Sequence, residues 1–175
     1  MRYQGGKSRI AQPIAKIITT VAGGERCFVS LFCGSCAVES KVQGFTRKIL
    51  NDRHQYLIAL LRGVQNGYEL PESITAEQYQ YIREHKDEDP ALAGFVGFGC
   101  SFGGKWFGGY ARNATGTNYA LQSKRSLLKD MATLQDASFV CNDYRRVCMA
   151  EQVKHTFNDG QHLMELKMRG GTFVA

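Results

Sequence analysis

Apolar positions recur with a helical period near the start of the chain. Ile10, Ile14, Ile17 or Ile18, and Val21 follow one another at spacings that predict a helix over residues 8–21, with these side chains on one apolar face. Short apolar runs then predict a strand over residues 28–32, a short helix over 37–42 and a second strand over 48–50.

A second helical pattern covers residues 55–66, and Asn66-Gly67 predicts where it ends. The order strand, helix, strand, helix is typical of a parallel sheet with flanking helices. The pattern changes after Tyr68. A capping box from Thr75 to Gln78 opens a helix, residues 92–102 are helical, a glycine-rich loop covers 103–117, a further helix covers 118–134, and a third strand covers 138–141.

Composition is that of a globular domain. The 175 residues are 43% hydrophobic and 22% charged, and they contain no apolar run of about 18 residues of the kind that spans a membrane. The first residues show no signal-peptide pattern. We therefore expect no membrane association and a cytoplasmic setting.

The net charge of +6 is unevenly distributed. Residues 1–48 hold eight basic and two acidic side chains, residues 69–89 hold two basic and seven acidic, and residues 102–146 hold seven basic and three acidic. Two basic blocks favour a polyanionic partner, most simply nucleic acid. The alternative is a basic protein without such a partner.

A small-residue turn follows the first predicted strand. Phe32 and Cys33 lead into Gly34, and Asp52 stands eighteen positions later, after the second strand. A glycine turn lets a ligand approach the backbone, and an acid at the next strand tip can accept hydrogen bonds from ribose hydroxyls. This arrangement predicts a site for an adenosine-bearing ligand.

The six cysteines lie in or beside apolar stretches, which indicates buried, reduced thiols. Cys33 and Cys36 also match the C-x-x-C pattern, so a redox pair and half of a zinc site are alternatives. No second pair completes a zinc site, and we predict no metal.

The segment over residues 102–112 interleaves four aromatic rings with two cations and four glycines. Glycines allow close approach to a partner, rings can stack, and Lys105 and Arg112 can contact phosphates. Alternatively, Trp106 and Phe107 anchor the loop on the core.

Four motifs now stand in one order, over residues 3–7, 32–35, 49–52 and 101–112. Together they resemble the Dam-like (D12 class) N6-adenine DNA methyltransferases, particularly those of phages and mobile elements. The resemblance covers about residues 1–146. It implies an α/β fold, a partial Rossmann-like methyltransferase sheet with a helical target-recognition insertion.

The resemblance also implies that different segments of the chain have different roles. Residues 1–68 and 118–146 would form the cofactor-binding core, 69–117 the target-recognition insertion, and 147–175 a divergent tail. The implied contacts to S-adenosylmethionine are Tyr3, Lys7, Gly34, Asp52 and Asp143, the last near the cofactor's adenine. The expected DNA contacts are Lys105, Trp106, Tyr110, Arg112, Lys124 and Arg125.

One departure concerns catalysis. The family uses an Asp-Pro-Pro-Tyr tetrapeptide after its fourth strand to hold the flipped adenine. The prolines here are Pro13, Pro71 and Pro90, which are never adjacent, so the tetrapeptide is absent. We expect a chain truncated before that motif, with no catalytic residue and with S-adenosylmethionine binding weak or lost.

In the family's sheet the fourth strand lies beside the first. Without it, the strand at 28–32 would have an open edge. We expect that edge to be covered by residues 171–175, by a homodimer partner or by a separate catalytic subunit.

Three functions follow from these features. The favoured one is a methyltransferase-derived, DNA-binding protein that is not catalytic alone. The main alternative is a phage or mobile-element inhibitor, such as an anti-CRISPR protein, that binds a host nuclease or its nucleic acid. The third is one half of a split adenine methyltransferase.

Overall fold

The computed structural model describes residues 1–22 and 25–150 and three short strands further on, at 154–155, 166–168 and 171–174. The chain forms two compact units. The sheet unit contains residues 7–54 and 136–175, and the helical unit contains residues 1–6 and 55–135.

Among the described residues of the sheet unit there are six strands. Their bounds are β1 Cys27–Ser30, β2 Arg47–Asn51, β3 Ser138–Val140, β4 Lys154–His155, β5 Leu166–Met168 and β6 Gly171–Val174. The order across the sheet is β3-β2-β1-β6-β5-β4. β3, β2, β1 and β6 pair with their neighbours in parallel. β5 then pairs with β6, and β4 with β5, in antiparallel orientation. The predicted parallel α/β sheet is confirmed.

The free edge of β1 is covered by the chain's own last described strand. β6 pairs with β1 in parallel, in the register Cys27 to Gly171 and Ser30 to Val174. This confirms one of the three expected solutions for that edge, while Ala175 lies outside the described residues. Since β1 has neighbours on both sides, its backbone groups are paired, and all four of its residues are buried.

Two helices lie in the part of this unit that the structure describes, α1 Ala11–Val21 and α6 Tyr144–Ala150. The helix predicted near the start is present, but only part of its predicted apolar face is buried: Ile18 is 6% exposed, whereas Ile10 is 49% and Val21 65% exposed. Ala11 and Ala15, which were not predicted, complete the buried face. Small alanines allow close packing of a helix, and a search for large aliphatic residues overlooks them.

The short helix predicted over residues 37–42 is wrong, because this segment forms successive turns. Side chains take the carbonyl oxygens that a helix would use. Ser40 Oγ donates to Ala37 O, and Lys48 Nζ donates to Glu39 O and to Val42 O. Such local side-chain bonds compete with helix formation.

The helical unit contains α2 Gln55–Gln65, α3 Ala76–Glu84, α4 Pro90–Gly99, a 3₁₀ turn at Phe102–Gly104, and α5 Tyr119–Met131. α4 is almost wholly buried and packs against α2, α3 and α5. Gly94 permits this, because a Cβ there would overlap the carbonyl oxygen of Tyr56. The helices predicted over 55–66 and 118–134 lie in the same compact unit as residues 69–117. The division into a cofactor-binding core and a target-recognition insertion, with boundaries at residues 68 and 118, remains a prediction.

Side-chain caps mark the starts of three of these helices. The capping box predicted at Thr75 and Gln78 is present in both directions. Asp89 caps α4 just before Pro90, and Asn118 caps α5. These caps satisfy backbone N–H groups that have no partner inside the helix.

Candidate functional site

The turns at the carboxyl ends of the parallel strands are joined by Asn51, the last residue of β2. Its amide nitrogen donates to Leu31 O at 2.9 Å and to Asn142 O at 3.1 Å, and its Oδ1 accepts from the Asn142 backbone N–H at 3.0 Å. Asn51 is 1% exposed, so the bonds satisfy an amide that would be costly to bury unpaired. They hold the segments after β1 and β3 beside the end of β2.

Asp52 ties the glycine turn to the same strand end. Its Oδ2 accepts from the Gly34 N–H at 3.0 Å, and its Oδ1 accepts from the His54 N–H at 2.9 Å. Gly34 has φ of 50°, in the left-handed region that favours glycine. A carboxylate has about four acceptor positions, so roughly two remain for a ligand hydroxyl. The two residues that the sequence pairs at a distance of eighteen positions are therefore in direct contact.

Cys33 and Cys36 are both buried in this turn as free thiols. The hydrogen bond with the Cys36 thiol, followed by burial, raises the pKa of Cys33 well above its usual value. A reactive redox thiol needs a lowered pKa, so this environment favours the structural interpretation of the pair.

A buried carboxyl group that the sequence did not single out lies just after the turn. Glu39 is 7% exposed, and its Oε1 accepts from Oγ of Ser30, the last residue of β1, at 2.7 Å. Burial raises the pKa of Glu39, and the bond from Ser30 opposes that shift. Glu39 thus fastens the turn segment to the end of β1.

Two aromatic rings lie beside each other after β1 and β3. The rings of Phe32 and Tyr144 have centroids 5.3 Å apart, and Phe32 is 60% exposed. Asp143, a predicted cofactor contact, precedes α6 and accepts from the Arg145 N–H at 3.0 Å. Phe32 was missing from the predicted contacts, although an exposed aromatic residue between a strand and a glycine turn is a recognisable signal for a flat ligand.

The remaining predicted cofactor contacts lie in different units. Lys7 is exposed and belongs to the sheet unit. Gly34, Asp52 and Asp143 belong to the same unit. Tyr3 belongs to the helical unit, where its ring lies 4.8 Å from that of Phe98. Within the predicted set, Gly34 and Asp52 are in direct contact.

Trp106 lies in an aromatic cluster of the helical unit. Its ring stacks on Tyr56 at 5.3 Å and lies 4.8 Å from Phe98 and 4.7 Å from Phe107. Tyr110 donates its hydroxyl to Ile74 O at 2.6 Å. Both rings therefore anchor the glycine-rich loop, and their contact with DNA remains a prediction.

The predicted DNA-binding cations differ in their surroundings. Lys105, Arg112 and Arg125 are exposed, and no carboxylate of the described residues lies within ion-pair distance of them. Lys124 pairs with Glu72 at 3.2 Å and is less available.

Phe102 is the ring that this loop exposes, at 71%. Its N–H donates to Gly109 O at 2.8 Å, and the carbonyl of Gly104, two residues later, accepts from the Gln4 N–H at 2.9 Å. A Cβ on Gly104 would lie 2.6 Å from Tyr3 N, so glycine is required there. The loop is thus closely packed and presents Phe102 outward, which the sequence could not distinguish from its three neighbouring aromatic residues.

Within the described part of the chain, no helix has the length and apolar character needed to cross a bilayer. Over the same residues, no group of three or more His, Cys, Asp or Glu side chains is placed to hold a metal ion.

A parallel sheet with a glycine turn bonded to the acid of the next strand defines the class of α/β domains that bind nucleotide-like ligands at the carboxyl ends of their strands. Residues 3–93, just over half of the chain, match the D12 class N6 adenine-specific DNA methyltransferase family. The chain belongs to this family, whose members use S-adenosylmethionine. No curated protein matches it.

The bond between Gly34 and Asp52 can be tested by Asp52→Asn, which removes the charge and one of the two acceptor oxygens. We expect a loss of about 1–2 kcal/mol in unfolding free energy, because a charge-assisted bond to a backbone N–H is lost or weakened. Amide hydrogen exchange at Gly34 and His54 should become faster. The exposed Asp136→Asn is the control and should change neither quantity, and unchanged exchange at both amides in Asp52→Asn would refute the bonding pattern.

Glu39 predicts a pH-dependent effect. Burial raises its folded-state pKa above the usual 4.5, so the fold favours the protonated form, and its contribution to stability declines as pH rises through 4.5 towards the raised value. Glu39→Gln keeps an acceptor for Ser30 and cannot ionise. The variant should therefore melt at a higher temperature than the parent at pH 7, with a difference that shrinks below pH 4.5. Thermal melts across this pH range measure it, and a difference independent of pH would contradict the assignment.

Proposed function

We propose that this chain is a methyltransferase-derived protein that binds DNA and that these 175 residues do not transfer a methyl group on their own. The observation that carries the proposal is the Gly34–Asp52 hydrogen bond at the carboxyl end of the sheet of a D12-family domain. It supports retention of the family's cofactor turn in this chain.

The residues around that turn fit the adenosine part of S-adenosylmethionine. Asp52 has acceptor positions left for ribose hydroxyls, Gly34 leaves room for close approach, and the rings of Phe32 and Tyr144 can flank an adenine. When bound, the cofactor would supply an electrophilic methyl group. The role of the chain's own residues would be to bind and orient it.

Catalysis in this family also needs the Asp-Pro-Pro-Tyr group, and no two prolines are adjacent in these residues. Without an acceptor for the exocyclic amine and a ring to stack on the base, a bound adenine would not be held against the methyl group. We therefore propose weak cofactor binding and no transfer by this chain alone.

DNA binding is proposed for the helical unit. Lys105, Arg112 and Arg125 are exposed cations that can neutralise phosphates, and Phe102 can stack on a base. Lys124 would contribute less because Glu72 pairs with it.

A second candidate function is one half of a split adenine methyltransferase. Because β6 fills the place beside β1, a partner would have to supply Asp-Pro-Pro-Tyr without adding a strand there. β6 lies beside β1 in parallel, and Val174 stands in register with Ser30, at the sheet edge that carries Gly34. A second polypeptide that brings Asp-Pro-Pro-Tyr to this edge would complete the reaction centre. The test is to mix the chain with the protein encoded by a neighbouring reading frame that contains Asp-Pro-Pro-Tyr. Methyl transfer by the mixture, but by neither protein alone, would support this candidate.

DNA binding can be measured by fluorescence anisotropy with a labelled duplex at 50–200 mM salt. Lys105→Ala and Arg112→Ala should each weaken binding and lower the slope of log affinity against log salt by about 1, because each removes one phosphate contact. Asp52→Ala should bind DNA like the parent.

Phe102→Ala should weaken binding to single-stranded DNA by about 1–3 kcal/mol, because stacking of a base on this ring is lost, and Phe102→Trp should restore it.

The matched control is Lys129→Ala, which removes the same charge from the last turn of α5, outside the predicted contact set. Equal losses for Lys129, Lys105 and Arg112 would mean that only net charge matters. DNA binding that ignores salt, or that fails only in Asp52→Ala, would overturn the proposed surface.

A further inference from the structure

The helical unit carries a groove of about 850 Å³ beside α3 that DNA binding does not explain. Its apolar lining comes from Leu70 and Ile74, which are buried, and from Ile82 and Leu92, which are half-buried. We call this feature the acidic groove, because its charged lining residues are Glu69 and Glu77.

The charge of the groove has one sign. Glu69 and Glu77 are both exposed, and no lysine or arginine is among the lining residues. The backbone N–H of Glu77, then the Thr75 hydroxyl, then Arg112 lower the pKa of Glu77, so it is ionised at neutral pH. The surrounding segment, residues 69–89, holds seven acidic and two basic side chains.

These charges exclude one class of occupant. Phosphates of a nucleic acid would be repelled by the two carboxylates, whereas cations would be attracted. Glu72 does not line the groove, but it pairs with Lys124, one of the proposed DNA contacts. The acidic groove and the proposed DNA-binding surface therefore adjoin at this ion pair.

Tyr81 gives the groove a further feature of a protein-binding surface. It lines the groove and is 53% exposed, but it is held in one orientation: its hydroxyl donates to Glu88 at 2.9 Å and its ring stacks on His85 at 4.2 Å. A preoriented tyrosine beside an apolar floor and a charged rim is typical of protein interfaces.

From the apolar floor, the carboxylate rim and the exposed tyrosine, we infer that the acidic groove docks a basic segment of a protein partner, anchored by aliphatic side chains. The aliphatic anchors would cover Ile82 and Leu92, and lysine or arginine side chains would face Glu69 and Glu77. None of the proposed DNA contacts lines the groove, although Arg112 lies close enough to Glu77 to lower its pKa, and the inference does not depend on DNA binding.

The test uses the full chain and two synthetic peptides with the same amphipathic pattern, one of leucine and lysine and the other of leucine and glutamate. Fluorescence anisotropy should show binding of the lysine peptide and at least tenfold weaker binding of the glutamate peptide. Hydrogen exchange with the lysine peptide should show added protection within residues 68–82. Glu69→Lys/Glu77→Lys should weaken lysine-peptide binding at least tenfold.

A matched control is Glu84→Lys combined with Asp136→Lys, which changes net charge equally at exposed positions outside the groove lining. This variant should bind the lysine peptide within about twofold of the parent. Equal losses in both double variants, equal binding of both peptides, or protection elsewhere would overturn the inference. It would also be overturned if sedimentation showed that the groove is buried against a second copy.

Discussion

The candidate site depends on the hydrogen bonds that Asn51 and Asp52 make at the carboxyl end of β2. Parallel strands bring their ends to one edge of a sheet, but the turns that follow them are not positioned by the sheet alone. Asn51 bonds to the segments after β1 and β3, and Asp52 bonds to Gly34. The glycine turn therefore has a defined position before any ligand binds, which reduces the ordering cost of binding.

This constraint has consequences for neighbouring residues. Because the turn is held against the end of β2, Cys33 and Cys36 are buried, and Glu39 is brought to Ser30. A buried carboxyl group with a raised pKa beside the turn is a cost to the fold at neutral pH. The same packing leaves Phe32 exposed next to Tyr144, where an adenine would lie in the proposed complex.

The sequence predicted the architecture better than the details of the site. The parallel sheet, the capping box at Thr75 and the association of Gly34 with Asp52 follow from local patterns and from the order of the family's motifs. Ala11 and Ala15 on the buried face of α1 were not predicted because they are small. The turns at 37–42 were not predicted because Lys48, which follows them in the sequence, bonds to two of their carbonyl oxygens. Phe102 and Trp106 look equivalent in the sequence, and only tertiary packing distinguishes the exposed ring from the cluster.

The helical unit combines two surfaces of opposite charge. Its glycine-rich loop presents cations and one exposed ring, while the groove beside α3 presents carboxylates over an apolar floor. Such a division suits a domain that contacts nucleic acid with one face and a basic protein segment with another. Both proposed roles are compatible with the proposal that the glycine turn binds a cofactor without transferring its methyl group.

The central claim, binding without transfer, is tested most directly by incubating the chain with duplex DNA and S-adenosylmethionine labelled in the methyl group. A gel shift of the same mixture, and a D12-family enzyme that has Asp-Pro-Pro-Tyr as positive control, complete the measurement. The account predicts shifted DNA without incorporated label. Label incorporated at adenine N6 by this chain alone would contradict it.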